Sequence, residues 1–111
     1  MLFRSVSSFE GEDWLRAQAG AKIEDRIRDN RNDGIDVEII YPNKGLAMWA
    51  TPDPVFANAQ CRVWNDWAWE QFGSHPESML PVCNVATGDL EGTLAEIERC
   101  AKIGFRALSL P

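Results

Sequence analysis

At 111 residues, with 45% hydrophobic and 25% charged side chains, the chain has the make-up of one ordinary globular domain with a modest core. Its net charge of -6 argues against nonspecific nucleic-acid binding, which needs clustered Lys and Arg; residues 1–34 hold six basic and seven acidic side chains, so no basic arm is hidden in the acidic total. No apolar run approaches the roughly 18 residues of a membrane span and no signal-peptide core opens the chain, so a cytoplasmic protein binding neither membrane nor nucleic acid is expected.

In chain order, residues 9–33 are polar and charged, with helix-forming content at 13–19 and again at 21–31. Ile23 and Ile27 lie four apart, which predicts a surface helix with a thin apolar stripe, and Gly34 is the usual residue just past such a helix. Ile35 to Tyr41 reads as a strand closed by Pro42, with Ile35, Val37 and Ile39 on one face and Asp36, Glu38 and Ile40 on the other. Asp53 followed by Pro54 is the signature of an N-cap and first helical residue, predicting a helix to about Ser74. Ala57, Cys61, Trp64, Ala68 and Phe72 form its apolar face, widened by Phe56, Val63 and Trp67.

His75-Pro76 ends that helix. Met79 to Ala86 is the second expected strand. Asp89 caps a further helix, whose buried face is predicted at Leu90, Leu94, Ile97 and Ala101, and Gly104 opens a final strand to Pro111. The order is helix-β-α-β-α-β: an α/β chain with three parallel strands and right-handed crossover helices, residues 1–33 forming an N-terminal helical segment and 34–111 the βαβαβ part of one domain. A parallel sheet is covered on both faces, so a chain closing on such a strand is expected to be part of a larger fold.

Cys61, Cys83 and Cys100 form no C-x-x-C pair, which favours reduced, buried thiols over a disulfide frame or zinc site. Of the clustered tryptophans, Trp64 and Trp67 fit the core and Trp69 is placed to reach a partner.

Several phrases together carry a resemblance. Asp29-x-x-x-Asp33-Gly34-Ile35-Asp36, then Ile40-Tyr41-Pro42, then Asn65-Asp66-Trp67, resembles the amidohydrolase-related metal-dependent hydrolases, in the branch that includes aminocarboxymuconate-semialdehyde decarboxylase. Leu94-x-Glu96-Ile97-x-Arg99-Cys100-x-x-x-Gly104-Phe105-Arg106 and the closing Leu110-Pro111 are similar to that branch too, so the likeness covers about four fifths of the chain. It implies a partial (β/α)8 TIM barrel whose three strands are early but not first members, with the active site at the strands' C-terminal ends. It also implies a divalent metal, zinc or similar, in full-length relatives, held by an H-x-H pair, a later His and a late Asp. This sequence has one histidine, His75, and so no H-x-H; no metal ligand carries over and no catalytic residue is assigned.

Two constellations stand apart from that metal. Asp36 and Glu38 point to one side of the first strand, as metal ligands or proton carriers on one reading and as paired or solvated carboxylates on the other. The loop after that strand sits at the functional end of the implied architecture. There Asn43 and Lys44 are candidates to hydrogen-bond a substrate carboxylate and Trp49 to wall a pocket.

The expectation is therefore a segment of a metal-dependent hydrolase or decarboxylase acting on a small carboxylate or cyclic substrate. By itself it is expected to be inactive, and the small molecule binds only in a complete barrel. The alternative is a noncatalytic α/β module that oligomerises or binds a partner through exposed strand edges.

Overall fold

The computed structural model describes residues 22–43 and 48–111. The helix-forming stretch at 13–19 and the loop residue Lys44 lie outside them. The chain divides into two compact units between Asp36 and Val37.

In the first unit, helix α1 (Ile23–Asn32) follows the 3.6-residue pattern of Ile23 and Ile27, and none of its residues is buried. Glu24 and Asp25 in its first turn and Arg31 in its last suit the helix dipole. Gly34, at φ 79°, takes the left-handed turn that ends it, and Ile35 N–H returns to Asn30 O at 2.7 Å. Asp36 falls after this turn, outside any strand, so it does not share a strand face with Glu38.

The second unit runs β1 (Glu38–Ile40), α2 (Pro54–Phe72), β2 (Met79–Pro81), β3 (Cys83–Asn84), α3 (Leu90–Ile103) and β4 (Leu108–Ser109). β1 pairs parallel with β2, and β3 pairs parallel with β4. These are two separate two-stranded sheets. The expected three-stranded parallel sheet is therefore not formed among the described residues, and they show no partial (β/α)8 barrel.

The physical reason lies in where hydrogen bonds can continue. Pro81 has no N–H to give, so the expected strand from Met79 to Ala86 breaks there. Beyond it, the N–H groups of Val82, Cys83 and Asn84 go in turn to Ile40 O (3.1 Å), Ala107 O (2.8 Å) and the Asn65 side chain (2.7 Å). Pro42 turns the first strand away two residues after Ile40, and a helix side chain takes over where a neighbouring strand would be. The run is nonetheless the core: Met79 and every residue from Pro81 to Ala86 are buried.

Both helices begin as their capping residues dictate. Asp53 Oδ1 accepts from Val55 N–H at 2.9 Å and Phe56 N–H at 3.2 Å, with Pro54 at the first helical position. Asp89 Oδ1 accepts from Gly92 N–H at 3.3 Å. Replacing Asp53 with Ala is expected to cost about 1 kcal/mol, read as a lower urea midpoint at unchanged slope. A midpoint unmoved by D53A would show that α2 is held by packing alone.

The buried stripes differ from those expected. On α2, Ala57, Cys61, Ala68 and Phe72 are buried as predicted, Trp64 only half so, and Asn65 joins them, while Phe56, Val63 and Trp67 stay exposed. On α3 the buried residues are Thr93, Glu96 and Cys100; Leu90 and Leu94 face outward at 68% and 57% exposure, Ala101 is exposed and Ile97 half-buried.

The tryptophans also exchange roles. Trp69 packs on Phe105, ring centroids 5.1 Å apart, beside the core of Cys83, Val85 and Cys100. A Cβ on Gly73 or Gly104 would meet its indole at 2.6 Å, so these two glycines make the slot it fills; Gly104 also adopts φ 132°. Among the described residues no helix is long and apolar enough to cross a membrane.

Candidate functional site

Two places in the second unit gather chemistry. The first is a buried polar knot between α2, β3 and α3. Asn65 docks its amide on the backbone of Asn84 as a neighbouring strand would: Oδ1 accepts from Asn84 N–H at 2.7 Å, and Nδ2 donates to Asn84 O at 2.9 Å. The same Nδ2 lies 3.2 Å from Glu96 Oε1 and 3.6 Å from Cys83 Sγ. Glu96 is also gripped by Arg99, whose Nε lies 3.0 Å from Oε2 and whose Nη2 lies 2.6 Å from Oε1. Arg99 Nη1 then reaches Asp66 Oδ1 at 2.7 Å, on the exposed flank of α2. At the top of α3, Thr93 Oγ1 is within hydrogen-bonding reach of the carbonyls of Ala86 and Asp89, tying the helix start to the end of the core run.

The electrostatics follow from these contacts. Burial alone pushes the Glu96 carboxyl up, but hydrogen bonds from Arg99, Asn65 and Cys100 outweigh it and hold the group below the usual glutamate range. The same contacts with Glu96 raise Arg99. Glu96 is thus a locked anion, suited to tying α3 to α2 and poorly suited to passing protons at neutral pH.

All three cysteines are free and buried. Burial, and then the charges of Cys83 and Glu96, push Cys61 up to about 11. The Cys100 thiol lies 3.3 Å from Glu96 Oε1; interaction with Cys100 lowers Cys83, while interaction with Cys83, then burial and Glu96, raises Cys100.

The second place is an open groove of about 520 Å³ along α2, walled by Met48, Phe56, Val63, Trp64 and Trp67. Its polar contribution comes from Gln60, whose Oε1 accepts the Thr51 hydroxyl at 2.8 Å. The volume is that of a small-molecule pocket, but convergent polar groups to orient a polar substrate are lacking among its lining residues. What it presents is apolar surface.

Of the residues proposed from sequence to contact substrate, Asn43 is exposed, Lys44 lies outside the described residues, and Trp49 is exposed while its neighbour Met48 lines the groove. His75 sits in the turn after α2, its N–H on Phe72 O at 3.2 Å and its carbonyl accepting from Ser78 and Met79. Among the described residues no three His, Cys, Asp or Glu side chains converge to hold a metal ion.

Asn65, Glu96 and Arg99 entered the sequence reading only as fragments of the resemblance. A sharper signal was available: Ala57, Cys61, Asn65, Ala68 and Phe72 follow one helical stripe, and an amide inside an apolar stripe must find buried partners. Searches against protein-family models and against curated proteins find no match to this chain.

Proposed function

We propose that this chain is a packing segment of an amidohydrolase-related metal-dependent hydrolase or decarboxylase, one acting on a small carboxylate or cyclic substrate, and that it is inactive by itself. The reading is carried by the mismatch of faces in the second unit. Polar Asn65, Thr93 and Glu96 are inside, whereas Val55 and Val63 on α2 and Leu90 and Leu94 on α3 are 57–70% exposed. Phe56, Val63, Trp64 and Trp67 also line the open groove on α2, and apolar surface gathered in this way marks a place where something else packs. The rest of an enzyme is the occupant that the order of the motifs from Asp29 to Pro111 suggests. Such an enzyme's metal ligands lie on other residues, since one histidine cannot make an H-x-H pair.

The second reading, a noncatalytic module that self-associates, draws on the same exposed faces and on β1, where Ile39 is 51% exposed. The two part at one experiment. The reading frame is followed in both directions from the coding segment, and the extended and 111-residue proteins are compared for metal content and oligomeric state. The expected result is an in-frame H-x-H before the segment, a His and an Asp after it, and a stoichiometric divalent metal in the extended protein alone. Stop codons on both sides, with the chain forming a monodisperse oligomer, would establish the module instead.

A further inference from the structure

Helix α2 carries two apolar stripes, and packing among the described residues uses one. Ala57, Cys61, Ala68 and Phe72 turn inward and are buried. Phe56, Val63 and Trp67 turn outward, 54%, 70% and 49% exposed, and with Gln60 between them they follow a 4-3-4 spacing. That is the spacing of a helix seam that meets another helix, and here it runs about 16 Å, or three turns. Glu70 takes the next position of the same pattern and is exposed. Together with Trp64 these four seam residues line the groove of about 520 Å³. Among its described lining residues Gln60 alone is polar, and its Oε1 already accepts the Thr51 hydroxyl at 2.8 Å.

We propose that, on the reading above in which another part of an enzyme covers this face, the covering element is an amphipathic helix. Its own apolar seam lies in the groove, and a Lys or Arg at the end of that seam meets Glu70. An extended segment does not fit. Its N–H and C=O groups would be buried against apolar walls with Gln60 alone to answer them, whereas a helix satisfies its own.

A second copy of the chain does not fit either. Antiparallel self-pairing about the midpoint of Gln60 and Val63 sets Phe56 of one copy on Trp67 of the other, but also Glu70 on Asp53. Parallel pairing sets Glu70 on Glu70. Each arrangement adds a like-charge contact to the net charge of -6 that every copy carries. A cation at that position turns the same carboxylate into an attraction.

The test titrates the intact 111-residue chain into fluorescein-labelled synthetic helical peptides of about five turns, followed by anisotropy. Salt is held at about 150 mM, where charges more than about 8 Å apart are screened. The first peptide carries leucines at 4-3-4 spacing with Lys at both ends of the seam. The second has Glu in place of those Lys, and the third keeps the first's composition but breaks the spacing. The first is expected to bind saturably at one site per chain, the second about three- to tenfold more weakly, and the third at least about tenfold more weakly. Glu70→Lys, a surface change, is expected to abolish or invert the preference for Lys over Glu. Val63→Asp, checked for folding by circular dichroism, is expected to lose the first peptide. Equal binding of the first and third peptides, a preference untouched by E70K, or no saturable binding by any peptide overturns the proposal. So does a dimer of the chain that V63D splits, which would make a second copy the occupant. Reading frame and metal content of the extended protein decide the enzyme reading and do not enter this titration, so each fails on its own result.

Discussion

Asn65→Ala is expected to destabilise the second unit by about 3–5 kcal/mol, lowering the urea midpoint by about 2 M or abolishing cooperative unfolding. The size follows from what one buried amide does. Asn65 is 0% exposed, and it supplies bonds at once to the Asn84 N–H, the Asn84 carbonyl and the Glu96 carboxylate. Each buried group deprived of such a bond costs about 1–3 kcal/mol, and no water replaces a side chain at a packed helix–strand contact without room for it. Asn65→Asp is the sharper companion. Its one oxygen still accepts from Asn84 N–H, but the other faces the Asn84 carbonyl and the Glu96 carboxylate, where Asn65 Nδ2 now donates. N65D is therefore expected to be no more stable than N65A at neutral pH and to recover as acid protonates it. A loss below about 1 kcal/mol in N65A, measured by urea titration of circular dichroism, would mean that the Asn84 backbone is held by its other contacts.

The same residue shows why part of this fold is legible in sequence and part is not. Helix starts are local chemistry: Asp53-Pro54 and Asp89 are read directly, and the structure places them at the first turns of α2 and α3. Gly34 and Gly104 are likewise readable as helix stops, since both take a positive φ. Which face of a helix is buried is decided by what lies opposite. On α3 the apolar spacing of Leu90, Leu94 and Ile97 pointed one way. The carboxylate of Glu96 turns the other way, because Arg99 and Asn65 are there to receive it. Strand length is also a matter of partners. Ile35 to Tyr41 has the composition of a seven-residue strand, yet only Glu38–Ile40 finds a ladder: Val82 N–H still reaches Ile40 O, but Pro42 has no N–H to carry the pairing further. The knot fell between these cases: every member was visible, but hydrophobic periodicity gives no weight to an Asn or Glu, and their pairing is a tertiary fact.

Arg99→Met makes the strongest pH-dependent prediction, because it reverses the sign of the Glu96 contribution. In the wild type Glu96 sits below its ordinary value of 4.5, so it adds stability above that pH, and the gain is lost as pH falls through the lower, folded-state value. Met keeps most of the Arg99 stem volume but removes the guanidinium, while Glu96 remains 4% exposed. Burial, the largest influence on this carboxyl, is then opposed only by Asn65 and Cys100. Its folded-state value rises above 4.5, and the group now adds stability only below that pH and loses it as pH climbs through the raised value.

R99M is accordingly expected to cost about 3–5 kcal/mol at pH 7, the penalty of stranding a buried charge, and to approach wild type in acid. Adding Glu96→Gln to R99M removes the stranded charge and should restore a large part of the loss, a coupling of about 2–3 kcal/mol in a double-mutant cycle. Asp66 provides the contrast: its partner atom is the same guanidinium, but its side chain is 54% exposed, so Asp66→Asn should cost under about 1 kcal/mol. Urea titrations of wild type, R99M, E96Q, the double variant and D66N at neutral and acid pH decide the matter. Parallel pH profiles for wild type and R99M would show that Glu96 is held by Asn65 and the helix alone, and that the Arg99 fork is surface decoration.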